Sequence, residues 1–184
     1  MSRVGFIGLG IMGKPMAKNL LKAGIDLMVC DLNEQAVKEV VECGAQASSY
    51  REIGEKCDIV FLILPNGDIS KSVLFDEGGV AQTLTAGKVI CDMSSVTPVE
   101  SKECFAGLKK IGVGFVDSPV SGGEPGAVNG TLAFMAGGRQ EDFDKLMPYY
   151  NIMGSSAVLI GDSGSGSVTK LANQIIVNNT IAIV

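Results

Sequence analysis

The fold of this 184-residue chain is decided by the stretch Val4-Gly5-Phe6-Ile7-Gly8-Leu9-Gly10-Ile11-Met12-Gly13. Its first four residues form a short apolar run, which predicts a buried strand. Three glycines with the spacing G-x-G-x-x-G follow, and apolar residues at helical spacing from Met16 to Leu21 predict a helix that closes at Ala23-Gly24. A strand, a glycine turn and a helix in this order begin a βαβ unit, so we expect parallel strands joined by helices.

The alternation of apolar runs and helical patterns continues along the chain. Further strands are predicted at residues 27–30, 45–48, 58–64, 88–93, 114–117, 131–136 and 157–160. Further helices are predicted at residues 34–41, 50–56, 70–75, 98–110 and 141–151, with a last one from Ser165 onward. Runs as apolar as 58–64 are typical of strands that are buried on both faces of a parallel sheet. The predicted fold class is α/β, with a Rossmann-type, doubly wound, mostly parallel sheet.

Composition restricts the classes of function. The chain has 15 Lys and Arg against 20 Asp and Glu, a formal net charge of -5, and no basic run, so we expect no nucleic-acid partner. It contains no His, and therefore neither a Ser-His-Asp hydrolase nor a His-based zinc site can be built from it. We predict no metal site and expect another residue to transfer any proton.

Cysteine usage predicts a cytoplasmic protein. The five cysteines are odd in number, lack the C-x-x-C spacing and mostly lie in or beside apolar runs, which predicts reduced, partly buried thiols. We expect no export signal, because the apolar N-terminal stretch is rich in Gly and leads into Lys14-Pro15. The apolar run at residues 175–184 is too short for a membrane span, and side-chain amides precede and interrupt it.

The glycine motif predicts a dinucleotide site, because it follows a strand, opens a helix and precedes Asp31 by about 20 residues. Gly8 permits the tight turn, Gly10 lets a pyrophosphate approach the backbone, and Gly13 allows the helix to pack on the strand. Asp31 can accept hydrogen bonds from the ribose hydroxyls and would repel a 2′-phosphate, and Leu32 offers no cation, so we predict NAD over NADP. The alternative is that the glycines only form a turn and that Asp31 begins a helix.

Two other segments carry candidate catalytic groups. In the segment 117–123, Ser121 and the amides of Gly122 and Gly123 follow a parallel strand and could hold a carboxylate, although a solvated loop is the alternative. Lys170 lies near the start of a mostly apolar helix, with Asn173 and Gln174 on the same helical face. The alternative is that Lys170 is a solvated charge, as a single lysine on a helix more often is.

Four segments together resemble the β-hydroxyacid dehydrogenase family. They are residues 5–16 with the glycine motif, Asp92-Met93-Ser94-Ser95, residues 117–123 with Gly130-Thr131-Leu132, and residues 166–174. The resemblance implies a hydride transfer between NAD and a small β-hydroxy acid or semialdehyde acid, a small-molecule carboxylate. It implies that Lys170 is the general acid and base. The cofactor contacts that motif and resemblance predict are Gly8, Leu9, Gly10, Ile11, Met12, Gly13, Asp31, Leu64, Pro65, Asn66 and Ser95.

For the substrate, the resemblance implies that Ser121 and Gly122, with Gly123 beside them, hold the carboxylate and that Asn173 orients the molecule, with Gln174 next to it. Gln174 is a departure, because some relatives carry Asn there. The resemblance also implies a dinucleotide-binding domain at residues 1–163 and, at 164–184, the first helix of an all-helical domain whose remainder is absent. Together the two domains would form a homo-oligomer, a dimer or tetramer. A catalytically silent dinucleotide-binding module is the alternative outside the enzymes.

Overall fold

A computed structural model of the chain describes residues 3–183. Its strands are β1 (Val4–Ile7), β2 (Leu27–Cys30), β3 (Gln46–Ala47), β4 (Ile59–Leu62), β5 (Val89–Asp92), β6 (Gly114–Asp117), β7 (Val120–Ser121), β8 (Leu132–Gly137) and β9 (Gly154–Gly161). Its helices are α1 (Gly13–Lys22), α2 (Glu34–Val41), α3 (Tyr50–Lys56), α4 (Gly67–Phe75), α5 (Pro98–Lys109), α6 (Gly123–Asn129), α7 (Gln140–Met153) and α8 (Ser165–Ile183), with a 3-10 turn at Val80–Gln82.

The described strands form one sheet in the order β3-β2-β1-β4-β5-β6-β8-β7, and β9 pairs with β8. The pairings from β3 through β6 are parallel, and β9 is parallel to β8. β8 is antiparallel to both β6 and β7. The predicted Rossmann-type, mostly parallel α/β fold is thereby confirmed.

Alternate residues of the central strands enter two hydrophobic clusters, one on each face of the sheet. Phe6 and Phe61 pack with α1, α2 and α7 on one face. Ile7 and Val60 pack with α3, α4 and α5 on the other. Because both faces are covered by helices, these strands are apolar throughout, as expected of a parallel sheet. Each fully buried side chain of this size stabilises the fold by about 1.5–3 kcal/mol.

Four helices begin at side chains that cap their first turn. Asn33, Ser49, Asn66 and Thr97 each accept a hydrogen bond from the backbone N–H three residues on, at the starts of α2, α3, α4 and α5. Such caps satisfy N–H groups that have no partner within the helix. The cap at Asn66 explains why α4 begins at Gly67, earlier than the predicted start at residue 70.

The structure differs from the predicted elements mainly between residues 117 and 130. The sequence pattern predicts no element after residue 117 in this segment, whereas the structure forms β7 and α6. α6 is short and rich in Gly, so its helical propensity is low. It is stabilised by packing on α1, where the Asn19 side chain donates a hydrogen bond to the carbonyl of Ala127 at 2.8 Å. Elsewhere, β4 is shorter and β9 longer than predicted.

The parallel register brings four strand ends to one level. Ile7 pairs with Leu62, Leu62 with Asp92, and Asp92 with Asp117, so β1, β4, β5 and β6 end side by side. The loops that follow these strands therefore leave from one edge of the sheet, which is where parallel α/β folds bind ligands.

The thiols and the last helix bear on the remaining predictions. Cys57, Cys91 and Cys104 are buried and Cys30 is half-buried, as predicted, but Cys43 is exposed at the end of α2. Burial raises the pKa of Cys30 to about 11 and that of Cys57 to about 12. Within residues 3–183, no helix combines the length and the apolar character that spanning a bilayer requires.

Candidate dinucleotide and catalytic site

The glycine turn between β1 and α1 is closed against the sheet and open at Gly10. Gly8 has a φ of +98°, and a Cβ there would overlap the carbonyl of Ile63. A Cβ on Gly13 would overlap the carbonyl of Gly8 and come within 2.8 Å of the Ile63 side chain. A Cβ on Gly10 would meet no atom within 4 Å. The two outer glycines are therefore required for the turn, and the middle one leaves room for a ligand.

The first turn of α1 presents free backbone N–H groups. This helix has neither a side-chain cap nor an acidic residue in its first turn. Among residues 3–183, no protein group accepts a hydrogen bond from the N–H of Gly10, Ile11 or Met12. Free N–H groups and the helix dipole give this end a partial positive charge. The charge and the open space at Gly10 fit the diphosphate of a dinucleotide.

Asp31 ties the glycine turn to the end of β2. Its carboxylate accepts hydrogen bonds from the backbone N–H of Leu9 and, at 2.7 Å, from that of Asn33. Asp31 is predicted to bind the ribose, and its two bonds to the backbone were not predicted from the sequence. A carboxylate has about four acceptor positions, so two remain for hydroxyl groups of a ligand.

A cavity of about 860 Å³ lies beside the glycine turn. Its wall contains the predicted residues 8–13, Asp31, Leu64 and Pro65. It also contains Tyr50 from α3 and Ile69 from α4, which are not among the predicted cofactor contacts. A cavity of this size is within the range of cofactor sites. The signal for the two missed residues was their position at helix starts that follow the parallel strands.

Two predicted cofactor contacts, Asn66 and Ser95, do not line this cavity. Asn66 is exposed, and its side chain accepts the cap hydrogen bond from Ile69 at 2.9 Å. The neighbour of Ser95, Ser94, is buried, and its hydroxyl accepts a hydrogen bond from the N–H of Leu64 at 2.8 Å. The hydroxyl of Ser94 therefore fixes the loop at Leu64. Contacts of Asn66 and Ser95 with the cofactor stay predictions.

The predicted carboxylate site lies at the junction of β7 and α6. Gly122 and Gly123 have φ angles of +133° and +60°, which residues other than Gly rarely adopt. Within the described part of the chain, the N–H groups of these glycines have no acceptor. Ser121 is half-buried and pairs with Ala133 of β8. The segment is an ordered turn between a strand and a helix, and its geometry leaves donors available for an anion.

The predicted catalytic lysine lies in the second turn of α8. Lys170, Asn173 and Gln174 are all half-buried, and the Asn173 amide donates to the Gln174 side chain at 3.3 Å. Burial lowers the pKa of Lys170 because a desolvated ammonium group is less stable. Among residues 3–183, Lys170 has no carboxylate partner within ion-pair distance.

The start of α8 is held by Asp117 at the end of β6. Its carboxylate accepts hydrogen bonds from the N–H of Gly164 at 2.6 Å and of Ser167 at 2.9 Å. Asp117 is fully buried, and burial raises its pKa to about 6 although both amides favour the ionised form. The glycine turn, the Ser121 segment and the start of α8 therefore all lie at the same edge of the sheet.

Comparison with known proteins supports this interpretation of the edge. Residues 3–161 match the family described as the NAD binding domain of 6-phosphogluconate dehydrogenase. The chain is 42% identical over 176 residues to 2-hydroxy-3-oxopropionate reductase of Escherichia coli K12, covering 95% of this chain and 60% of that protein. It is 41% identical over 181 residues to 2-(hydroxymethyl)glutarate dehydrogenase of Eubacterium barkeri, covering 98% of this chain and 60% of that protein. The chain thus spans about three-fifths of the length of these curated relatives.

A solved structure shows the same fold. The crystal structure of 3-hydroxyisobutyrate dehydrogenase from Salmonella typhimurium superimposes with a TM-score of 0.92 at 32% identity. That match covers 100% of this chain and 65% of the other. Residues 3–161 are therefore an NAD-binding domain, and the chain belongs to the β-hydroxyacid dehydrogenase family.

Proposed function

We propose that the protein transfers a hydride between NAD(H) and a small β-hydroxy acid or the corresponding semialdehyde acid. The observation that carries this proposal is the combination, at one sheet edge, of a glycine turn with free N–H groups and a helix with a half-buried lysine. The first feature suits a dinucleotide and the second suits proton transfer to a neighbouring oxygen. The segment from Ser121 to Gly123 adds donors for a carboxylate.

The preference for NAD over NADP is supported by the charge of the cavity wall. Within residues 3–183, this wall contains the carboxylates Asp31, Asp76 and Glu77 but no Lys or Arg. A 2′-phosphate would add about two negative charges beside these carboxylates without a cation to receive them. Leu32 is 91% exposed next to Asp31, so the position that follows Asp31 offers no cation.

In the proposed mechanism, a nicotinamide dinucleotide held by the glycine turn and Asp31 would supply or accept the hydride. Lys170 donates a proton to the oxygen that becomes an alkoxide during reduction, and in the reverse direction it takes the hydroxyl proton. Because burial lowers the pKa of Lys170, its neutral form is reached at a lower pH than for an exposed lysine. Ser121 and the amides of Gly122 and Gly123 hold the substrate carboxylate, and Asn173 with Gln174 orients the substrate.

We propose tartronate semialdehyde, which is reduced to glycerate, as the substrate. The support is the 42% identity to a 2-hydroxy-3-oxopropionate reductase, together with the segments 121–125 and 168–174. A 2-(hydroxymethyl)glutarate dehydrogenase is nearly as similar. The alternative substrates are therefore hydroxymethylglutarate, 3-hydroxyisobutyrate and 4-hydroxybutyrate, and a catalytically silent dinucleotide-binding module is the alternative outside the enzymes.

The proposed organisation is a dinucleotide-binding domain at residues 1–163 and, at 164–184, the first helix of an all-helical domain. The apolar residues Ile175 and Ile176 of α8 support this division, because they are 64% and 68% exposed within the described part of the chain. We further propose that the full-length protein acts in the cytoplasm as a homo-oligomer.

The proposed function is tested with purified full-length protein and a panel of substrates. Reduction of tartronate semialdehyde with NADH is compared with oxidation of the three alternative hydroxy acids, each with NAD(H) and NADP(H). Lys170→Ala is expected to lower kcat by about 10²–10⁴-fold without weakening NADH binding. The control Lys110→Ala removes an exposed lysine at the end of α5 and is expected to leave both unchanged. Turnover retained by Lys170→Ala would remove this residue from the mechanism.

A further inference from the structure

The cap of α8 comes from a different part of the chain than the caps of the earlier helices. Asn33, Ser49, Asn66 and Thr97 cap helices that begin at the next residue. The residue before α8 is Gly164, which has no side chain, and its N–H group is bound by Asp117, 47 residues earlier. A local cap stabilises a helix wherever the helix lies, whereas a cap from a strand also fixes where the helix begins relative to the sheet.

One carboxylate does at α8 what two side chains do elsewhere in this fold. In the capping boxes of α3 and α5, one side chain binds the third N–H of the helix and a Glu binds the N–H of the cap residue. At α8 the two oxygens of Asp117 take both of these N–H groups, those of Ser167 and Gly164. The negative charge also lies at the positive end of the helix dipole.

The backbone packing at this junction leaves little freedom. A Cβ on Gly166 would overlap the carbonyl of Met135 and come within 2.5 Å of the carbonyl of Asp117. The hydroxyls of Ser101 and Ser167 lie 2.9 Å apart and connect α5 to α8. The start of α8 is thus in contact with β6, β8 and α5. Lys170 follows Ser167 by three residues, roughly 4.5 Å along the helix axis, so the position of Ser167 determines that of Lys170.

We infer that Asp117 is a positioning residue for the reaction: its carboxylate sets the place of α8 on the sheet and thereby aligns Lys170 with the substrate. This inference rests on the proposed function, in which Lys170 transfers the proton. Within residues 3–183, Asp117 does not line the cavity and forms no hydrogen bond or ion pair with Lys170, so it acts through the helix backbone.

The test is Asp117→Asn in the full-length protein. An amide oxygen accepts one of the two N–H groups, but the new NH2 group faces the other and cannot accept from it. We expect kcat to fall by about 10- to 100-fold, since displacing a catalytic group by about 1 Å costs up to about 10²-fold. NADH should bind with unchanged affinity and stoichiometry, because the glycine turn that would bind it connects β1 to α1, whereas Asp117 ends β6. If the substitution only destabilised the fold, fewer molecules would be folded. The stoichiometry of NADH binding and the turnover would then fall by the same factor.

Asp92→Asn is the matched control. Asp92 is the register partner of Asp117 on β5 and is equally buried, but among the described residues its carboxylate accepts one backbone N–H, that of Ser94 at 2.9 Å. An amide oxygen preserves this bond, and the NH2 group can donate to a serine hydroxyl nearby. We expect kcat within about twofold of the wild type. An equal loss of kcat in both variants would overturn the inference, because it would make any buried carboxylate at this edge equally important.

Hydrogen exchange of the wild-type protein provides a measurement that does not depend on a variant. The N–H groups of Gly164 and Ser167 should be protected, whereas those of Gly10 and Ile11 should exchange rapidly until NADH is added. Rapid exchange at Gly164 and Ser167 would overturn the inference, and so would unchanged kcat or lost NADH binding in Asp117→Asn. Failure of the proposed function shows separately, as turnover retained by Lys170→Ala.

Discussion

The helices α1 and α8 begin at the same edge of the sheet, but their N-termini are used in opposite ways. At α1 the N–H groups of Gly10, Ile11 and Met12 have no acceptor within the described residues. At α8 the buried carboxylate of Asp117 occupies the N–H groups of Gly164 and Ser167. An open N-terminus can bind an anion from solution, whereas an occupied one is fixed to the sheet.

The comparison indicates how one fold combines a ligand site with a precisely placed side chain. The open end at α1 exchanges solvent for the cofactor, so its donors must be accessible. The closed end at α8 carries Lys170, and a catalytic group must be held within a fraction of an ångström. Burying the charged carboxylate of Asp117 costs free energy. We infer that this residue is nevertheless present because its carboxylate fixes the start of α8.

The largest expected effect comes from the same substitution at both helix starts. Gly166→Ala forces a Cβ against the backbone of β8 and β6, and backbone atoms cannot move away as a side chain can. We expect the free energy of unfolding to fall by about 3 kcal/mol. Gly10→Ala adds a Cβ that meets no protein atom, so stability should be unchanged or slightly higher while NADH binding weakens.

Chemical denaturation of the two variants, together with NADH titration of Gly10→Ala, checks this prediction. Equal stability of the two variants would show that the start of α8 is no tighter than that of α1. Undiminished NADH binding by Gly10→Ala would show that the cofactor does not use the open space at this glycine.

A smaller effect is expected from the titration of Asp117. Its pKa is raised to about 6 in the folded protein from an ordinary value of 3.8, so the folded state binds this proton more tightly than the unfolded state. The free energy of unfolding therefore falls as the pH rises from about 4 to about 6, by on the order of 2 kcal/mol. Asp117→Asn lacks this pH-dependent contribution to the free energy of unfolding. The pKa shifts of the other carboxyl groups are common to the wild type and the variant.

The measurement is the difference in unfolding free energy between wild type and Asp117→Asn, followed from pH 4 to pH 7. We expect the wild type to lose stability relative to the variant across this range and the difference to become constant above it. A difference that does not change with pH would mean that Asp117 has an ordinary pKa and that its burial carries no cost.

The open helix start could be predicted from the sequence, because its determinants are local. The spacing of Gly8, Gly10 and Gly13 after an apolar run specifies a strand, a turn and a helix within ten residues. The parallel strands could be predicted equally well, because their apolar runs in the sequence are continuous. Even so, the bond from Leu9 to Asp31 was not predicted, because it depends on how β1 and β2 pair. The local bond from Asn33 to Asp31 was not predicted either.

The closed helix start could not be predicted in the same way. The two partners of Asp117 are 47 and 50 residues away, and the pairing of β8 with both β6 and β9 brings them together. A sequence signal does exist: Gly164, the residue before the helix, has no side chain, so a side-chain cap for this helix can only come from another residue. The short helix α6 was missed because Gly and Pro in residues 123–126 favour a loop, and packing on α1 overrides that preference.

The smallest of these effects comes from closing the open start of α1 with a charge. Ile11 is 70% exposed beside the free N–H groups, so replacing it removes little packing. Ile11→Asp places a carboxylate where the diphosphate is expected, and Ile11→Asn places a neutral group of the same shape there. We expect the Kd for NADH to be about 10-fold higher in the Asp variant than in the Asn variant, about 1.4 kcal/mol. Fluorescence titration at low and high salt measures this, and the gap should narrow with salt because the site is exposed. Identical affinities would mean that the free N–H groups of α1 do not receive the diphosphate, and the contrast with α8 would then have no bearing on cofactor binding.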